Sequence, residues 1–340
     1  MPDTAGPITL RCSDWMGRRV ASMTRFTRPL LALVASLAWT SAQADDVTFG
    51  ITSATALSLP HFIAEEKKLY LQEGLAVDTI AAGSAARVLQ QLAAGSLDMA
   101  QVATDQTLRA IAHGAPVKIV AGAAANAPFR LLAAKGTKGW SDLKGRTVSV
   151  GGLTDVTLYF LRVMARRNGL ADQDYDLIYA GGTPDRFAQL LSGAVAAAVL
   201  TTPVDLVALE QGFVDLGSVP QYLPHWTQNN ILVDTRWAAG HRATVLAVLR
   251  AQIRATRFFY DGANRDEVIG ILAKHTRTST AIAAKSYDLY VADEVIARDA
   301  ALSAEGIKAN LDALKAMGEL ANAPPPADFI DASFLAEASR

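Results

Sequence analysis

The sequence is poor in cysteine, in aromatic residues and in excess charge of either sign. Its 340 residues include one cysteine, Cys12, so a disulfide framework and a zinc site built on cysteines are both excluded. The 32 basic and 33 acidic residues nearly cancel, which leaves no basic footprint for nucleic acid. Hydrophobic residues make up 51% of the chain, enough for a buried core, and the length favours about two domains.

The first 44 residues have the pattern of an export signal. Arg25 and Arg28 follow Met23, and the apolar run 30–39 leads to small residues ending at Ala44. A positive start, a short apolar segment and an A-x-A site predict a secretory signal peptide over residues 1–44, cleaved after Ala44. The run is about half of the roughly 20 residues that a spanning helix needs, which disfavours an uncleaved anchor.

Two interpretations of residues 1–22 stay open. Either translation starts at Met23, or Arg18 and Arg19 belong to a twin-arginine signal. No cysteine stands at the cleavage point, so we expect no lipid anchor. An exported chain without an anchor is expected in the periplasm of a Gram-negative cell.

After residue 44, strand and helix patterns alternate. Short runs of β-branched and apolar residues predict strands at 47–51, 75–80, 97–102, 116–121, 147–150, 176–179 and 195–200. Helices are expected between them, one of them from Pro60 to about Leu71, and the chain beyond Thr235 is expected to be nearly all helical. This alternation is typical of βαβ units around a parallel sheet.

A weak internal repeat, offset by 98 residues, divides the chain into two similar lobes. Gly83 matches Gly181 and Thr104 matches Thr202, with the same order of turn, helix, glycine and strand. We therefore predict an α/β clamshell in which each lobe has a mostly parallel sheet flanked by helices. Lobe I would contain residues 45–127 plus 232–340 and lobe II residues 128–231, joined by crossover strands at 129–133 and 231–234.

An ordered series of motifs resembles the periplasmic solute-binding proteins of ABC importers, in the nitrate/sulfonate/taurine and thiamine-pyrimidine branch. The matching segments are 60–66 (PHFIAEE), 73–77 (EGLAV), 83–84 (GS), 92–98 (LAAGSLD), 114–120 (GAPVKIV) and 142–148 (DLKGRTV). The resemblance covers about residues 45 to 235. The chain departs from the pattern at Ala196, where the second lobe often carries an acidic residue matching Asp98.

The resemblance implies a two-lobe binding protein that has no catalytic residues and docks onto an inner-membrane permease. The expected ligand is a small organic anion, either a sulfonate or a carboxylate, including aromatic acids. We expect a monomer with no cofactor and no metal. Two alternatives stay open: an exported enzyme on the same fold, and a receptor that senses a heterocycle resembling a vitamin precursor.

Candidate ligand-binding residues lie where predicted strands end and helices begin, because ligands of open α/β sheets bind at the carboxyl ends of strands. Free N–H groups at helix starts near Ser84 and Thr154 suit an anion. The candidates are Ser53, Thr55, Leu57, Ser84, Ala85, Thr104, Asp105, Asn126, Thr154, Asp155 and Thr202. Asp105 and Asp155 either stabilise helix starts or would favour an amine or hydroxyl donor on the ligand.

Two further residues have competing interpretations. His61 follows Pro60 at a helix start, where it would be a surface or capping residue or line the cleft. Arg130 lies on the first predicted crossover strand, and it would either face solvent or reach into the cleft as an anion clamp. Motifs for zinc hydrolysis, a nucleophile elbow or a phosphate-binding loop do not occur.

Overall fold

The computed structural model describes residues 45–320 and 323–340, and the predicted signal peptide lies outside the described residues. The strands are β1 Asp45–Ile51, β2 Leu75–Ala81, β3 Met99–Ala103, β4 Val117–Ala124, β5 Phe129–Ala133, β6 Thr147–Val150, β7 Asp176–Tyr179, β8 Ala197–Thr201, β9 Val214–Ser218 and β10 Asn229–Asp234. The α-helices are α1 Leu59–Glu66, α2 Leu69–Gln72, α3 Ala85–Ala93, α4 Thr104–Ala112, α5 Val156–Arg167, α6 Thr183–Leu191, α7 Val204–Glu210, α8 Thr235–Gly240, α9 Arg242–Tyr260, α10 Arg265–Thr276, α11 Thr280–Ala292, α12 Ala304–Ala316 and α13 Ala332–Ala338.

The first sheet has the strand order β2-β1-β3-β10-β4. Strand β1 pairs in parallel with β2 and β3, whereas β10 is antiparallel to both β3 and β4. Val47, Phe49 and Ile51 alternate along β1, so one face of the strand packs into the apolar core that also contains residues of α1 and α9. We call this sheet with the helices packed on it the first lobe.

The second sheet repeats this arrangement in the order β7-β6-β8-β5-β9. Strand β6 pairs in parallel with β7 and β8, and β5 is antiparallel to β8 and β9. Val148 and Val150 pack with Leu158 and Phe160 of α5 on one face. This sheet with its helices is the second lobe. The prediction of two mostly parallel sheets flanked by helices is thus confirmed, and the lobe boundaries stay a prediction.

Each sheet has one antiparallel strand, and that strand is the one contributed by a crossover. The chain enters the second lobe directly as β5 and returns to the first lobe as β10, so both predicted crossover strands lie inside a sheet. The segment that leads into the second lobe, residues 125–128, is therefore shorter than expected. The segment that returns to the first lobe, residues 219–228, is longer.

The chain after Thr235 is helical, as predicted, and these helices cover the first sheet. Val245, Leu249 and Phe259 of α9 are fully buried in the same core as Phe49. Within residues 45–320 and 323–340, no helix is long and apolar enough to cross a membrane.

One predicted helix is wrong in its length. The helix expected from Pro60 to about Leu71 is interrupted, because Lys68 has a φ of 55° in the left-handed region. The chain therefore forms α1 and then the single turn of α2 in a new direction. Two consecutive lysines carry no glycine or proline signal, so local composition does not mark this break.

Candidate ligand-binding site

The first lobe presents two loops at the carboxyl ends of its parallel strands. The backbone N–H of Ala82 donates to Ile51 O (3.0 Å), and that of Gly83 donates to Thr52 O (2.9 Å). These bonds hold the loop after β1 against the loop after β2. The start of α3 is thereby fixed beside residues 52–58.

The second lobe presents the same pair of loops. Ala180 N–H donates to Val150 O (3.0 Å), and Gly181 N–H donates to Gly151 O (2.9 Å). The loop after β6 is therefore held against the loop after β7, next to the start of α6. The two lobes build equivalent edges from equivalent backbone bonds.

One hydrogen bond joins these edges across the cleft. Gln106, in the first turn of α4, donates from Nε2 to the carbonyl oxygen of Thr154, which lies 3.1 Å away in the loop after β6. The carboxyl ends of β3 and β6 therefore face one another. The predicted residues Asp105, Thr154 and Asp155 come together at this contact.

The predicted residues of the first two loops have different surroundings. Ser53 is exposed, Thr55 is half-buried, and Leu57 is buried in the apolar core, where its carbonyl accepts a bond from Gln101 Nε2 (2.8 Å). Ser84 caps α3 by accepting from the backbone N–H three residues on (3.3 Å), as its capping interpretation predicts, and Ala85 is half-buried. Ser53, Thr55, Ser84 and Ala85 therefore have at least partly exposed surfaces at the cleft edge.

Thr104 and Asp105 are more deeply placed than a binding role suggests. Thr104 is fully buried, and its hydroxyl accepts from Asn230 Nδ2 at 2.7 Å. Asp105 is 2% exposed, and its carboxylate lies 2.6 Å from Arg109 Nη1. Burial raises the pKa of Asp105 to about 6 against the attraction of Arg109, and the nearby Asp155 adds to the rise.

Asp155 is the N-cap of α5. Its Oδ1 accepts from the backbone N–H of Thr157 at 2.9 Å and from the hydroxyl of the same residue at 2.5 Å. The helix-stabilising interpretation of this carboxylate is therefore confirmed. The positive end of α5 therefore offsets part of the charge of Asp155, and the remainder acts on Asp105 and Arg186.

Asn126 and Thr202 lie apart from the loop edges, beside the connections between the lobes. Asn126 donates from Nδ2 to Asp293 O (2.7 Å), which ties the first connection to the end of α11. Thr202 is fully buried, and its hydroxyl donates to Asp205 Oδ2 (3.2 Å). Both side chains are engaged in holding this region of the fold together.

Arg130 is held between two acids of the second lobe. Its Nη1 donates to Asp215 Oδ2 at 2.6 Å, and its Nε lies 3.4 Å from Asp205 Oδ2. Asp205 is 1% exposed, and burial raises its pKa to about 6 although Arg130 opposes the rise. Since both acids neutralise the guanidinium, Arg130 is not a free anion clamp.

The interpretation of His61 as a surface, capping or cleft residue is wrong. Its ring is fully buried and stacks on Phe49, with Nδ1 2.7 Å from Tyr70 Oη and Nε2 2.7 Å from Thr79 Oγ1. The Thr79 hydroxyl in turn donates to Glu65 Oε1 at 2.5 Å. This direction requires His61 to donate from Nε2, so the imidazole is a link inside the first lobe.

Arg186 is the functional candidate that the sequence analysis missed. It lies in the first turn of α6 and is 3% exposed. Its Nε donates to Val199 O (2.7 Å), Nη1 donates to Gly181 O, and Nη2 donates to Thr183 Oγ1 (2.8 Å). Burial lowers the pKa of its guanidinium, and the charge of Asp155 opposes that effect. The sequence feature that could have identified it is the internal repeat, in which Arg186 occupies the position that corresponds to Val88 of the first lobe.

The described residues, 45–320 and 323–340, contain no group of three or more His, Cys, Asp or Glu side chains placed to hold a metal ion.

The solved structures similar to this chain share its two-lobe fold. The periplasmic aliphatic sulphonate binding protein SsuA from Escherichia coli is 20% identical, with a TM-score of 0.68 over 84% of this chain and 92% of that one. The periplasmic nitrate-binding protein NrtA from Synechocystis PCC 6803 is 16% identical, with a TM-score of 0.72 over 87% and 89%. A mutant of DszB in complex with biphenyl-2-sulfinic acid is 13% identical, with a TM-score of 0.66 over 87% and 99%.

At these identities the likeness establishes the periplasmic-binding-protein fold and not the ligand. Among curated proteins, no match to the sequence was found. The model of one protein family, described as NMT1/THI5 like, matches residues 55–267, which is more than half of the chain. The match confirms the family resemblance drawn from the motifs, and the chain belongs to the NMT1/THI5-like family.

Proposed function

We propose that this protein is the substrate-binding component of an ABC importer, and that it captures a small organic anion between its lobes. The observation that carries the proposal is the contact between Gln106 and Thr154, which brings the carboxyl ends of the two sheets face to face. Ligands of open α/β sheets bind at such ends. Two similar lobes connected by two segments are suited to closing on a ligand by a hinge motion.

The ends of two helices support the choice of an anion. Helix α3 begins at Ala85 and α6 at Thr183, both directly after the paired loops of their lobes. The first N–H groups of a helix lack partners inside it and carry a partial positive charge. A sulfonate or carboxylate in the cleft would complete these bonds.

The balance of charges at the cleft also favours an anion. Asp105 is paired with Arg109, and the start of α5 offsets part of the charge of Asp155. Arg186 has only neutral oxygens as partners. Both acids are therefore bonded within the protein, whereas the Arg186 guanidinium has no acidic oxygen within 4.0 Å and is attracted by Asp155 and Asp185 only from farther away.

The partner and compartment follow from the same proposal. A receptor of this kind would work in the periplasm and pass its ligand to a permease in the inner membrane. Residues 1–44 would direct export and be removed. Recognition alone then accounts for the cleft, so we assign catalysis to none of its residues, and we expect the receptor to be a monomer.

A thermal-shift panel tests this proposal. The purified protein is unfolded and refolded to remove any carried solute, then mixed with alkyl sulfonates, nitrate, bicarbonate, aromatic carboxylates and thiamine-type pyrimidines. A ligand at about 100 times its Kd adds about 2.7 kcal/mol of stability, which corresponds to a rise in Tm on the order of 5–10 °C. We expect such a rise with one class of anion, and recovery of that compound unchanged.

A matched pair of variants tests where on the protein the ligand binds. Ala85→Trp fills the space in front of α3, and Ala94→Trp adds the same side chain at the exposed opposite end of that helix. We expect the first variant to abolish the rise in Tm and the second to leave it unchanged. No rise with any anion would refute the proposed ligand class, and recovery of an altered compound would favour the enzyme alternative.

A further inference from the structure

Arg186 differs from the other arginines of the described residues in its burial and its pairing. The arginines of residues 45–320 and 323–340 are either paired with an acid or exposed, apart from Arg186. Those with an acidic oxygen within 4.0 Å are Arg109, Arg130, Arg162, Arg166, Arg236, Arg242, Arg250, Arg254, Arg257, Arg265 and Arg298. No acidic oxygen lies within 4.0 Å of the Arg186 guanidinium, and Asp155 and Asp185 attract it only from farther away. A buried cation without a direct ion pair is costly, which sets Arg186 apart from the other arginines.

The guanidinium lies along the carboxyl edge of the second sheet. It is bonded to Val199 of β8 and to Gly181, which follows β7, and it is attracted by Asp155, which follows β6. It therefore lies beside the loops after β6 and β7 and against the backbone of β8. These are the loops that face the first lobe through Thr154.

The corresponding position of the first lobe shows that the fold does not need an arginine here. Helices α3 and α6 begin and end 98 residues apart, so Arg186 corresponds to Val88. Val88 is fully buried and packs in an apolar cluster. The charge is thus a property of the second lobe alone, and packing does not explain it.

We infer that Arg186 sets the charge preference of the cleft, by supplying the positive potential that attracts and holds the anionic group of the ligand. The inference rests on the proposed function and deepens it. Because the guanidinium is shielded from water, its field acts through a medium of low dielectric and is weakly screened by salt. Arg186 is a specificity-determining residue that acts from beside the loops.

The test compares each anion with its neutral amide. The probes are butanesulfonate with butanesulfonamide, and benzoate with benzamide, titrated by calorimetry. The variants are Arg186→Gln, which removes the charge but keeps a side-chain donor, and Arg186→Lys, which keeps the charge. Arg146→Met is the control, because Arg146 is an exposed arginine of the same lobe without an acidic partner.

We expect wild type and Arg146→Met to bind one anion more tightly than its amide. In Arg186→Gln the Kd of the anion rises about tenfold or more, while that of the amide changes by less than about threefold. Arg186→Lys retains the preference for the anion. If Arg186 only holds the loops in place, Arg186→Gln would instead weaken the binding of the anion and of the amide equally.

The outcomes separate this inference from the proposed function. If wild type binds neither these two anions nor any anion of the thermal-shift panel, the anionic ligand class is wrong and the inference is wrong with it. If wild type binds an anion and Arg186→Gln keeps the same preference over the amide, only the inference is overturned. Should Arg186→Gln not fold, a loss of preference in folded Arg186→Lys overturns it, and retention supports it.

Discussion

The two lobes have the same frame and differ in what they bury at equivalent positions. Both sheets have three parallel strands followed by one antiparallel and one further strand, and both tie their first two loops together with the same pair of backbone bonds. Yet Val88 of α3 packs among apolar residues, whereas Arg186 of α6 binds backbone oxygens. A repeated backbone therefore does not impose a repeated interior.

The largest expected effect comes from giving the first lobe the arginine of the second. Space around Val88 is tight, since a Cβ at Gly50 would lie 3.0 Å from Val88 Cγ1 and 2.4 Å from Leu97 Cδ1. Val88→Arg would bury a guanidinium among apolar side chains, so we expect a loss on the order of 5 kcal/mol in the free energy of unfolding. Urea denaturation followed by circular dichroism measures it.

Val88→Leu is the matched control, because it changes the volume without adding charge. If Val88→Arg unfolded at nearly the wild-type urea concentration, the repeated frame would accommodate the charge in either lobe. The comparison between Val88 and Arg186 would then lose its meaning.

A pH effect should appear equally in both lobes. Asp105 and Asp205 both have a pKa raised by burial from 3.8 to about 6. Since the unfolded carboxyls lose their protons at lower pH, the folded state binds more protons between about pH 4 and 6. Stability must therefore fall as pH rises through this window, by an amount on the order of 3 kcal/mol for each group.

The variants Asp105→Asn and Asp205→Asn measure this effect separately. Each is expected to gain stability relative to wild type between pH 4.5 and pH 8, as followed by urea unfolding at both values. Asp78→Asn, at an exposed position, is the control. A gain in only one of the two variants would show that the lobes bury their acids at different cost.

A smaller loss is expected where the first lobe has a bond that the second lacks. Asp98 Oδ2 accepts from the backbone N–H of Thr48 (2.8 Å) and from its hydroxyl (2.7 Å), which ties β1 to the residue before β3. Asp98→Ala removes two bonds to a charged group, so we expect a loss of about 2 kcal/mol in the free energy of unfolding. Asp78→Ala serves as the exposed control, and an equal loss in both variants would contradict this account.

The sequence was sufficient for the alternation of strands and helices, because glycine, proline and capping residues mark their limits. It also predicted the caps at Ser84 and Asp155, whose bonds reach only two or three residues along the chain. The order of strands in each sheet was beyond local signals. Pairing of β5 with β8 and of β10 with β3 joins residues far apart in the chain.

The candidate site was harder to predict for the same reason. Burial of His61 depends on Tyr70, Thr79 and Gln252, which come from three other elements. Contacts across the cleft, such as that of Gln106, depend on how the lobes meet. The role of a polar residue depends on partners from distant parts of the chain, and the spacing of residues in the sequence does not predict those partners.

The smallest expected effect would make the lobes more alike. Ala196 occupies the place of Asp98, and its N–H donates to Thr147 O (2.8 Å) as that of Asp98 donates to Thr48 O (3.0 Å). An aspartate at 196 could therefore accept from the backbone and hydroxyl of half-buried Thr147. We expect Ala196→Asp to raise the free energy of unfolding by about 1 kcal/mol at pH 7.

The double variant Ala196→Asp with Thr147→Val should lose much of this gain, because the hydroxyl donor is gone. A gain that survives intact in the double variant would mean that the bond of the first lobe was not reproduced.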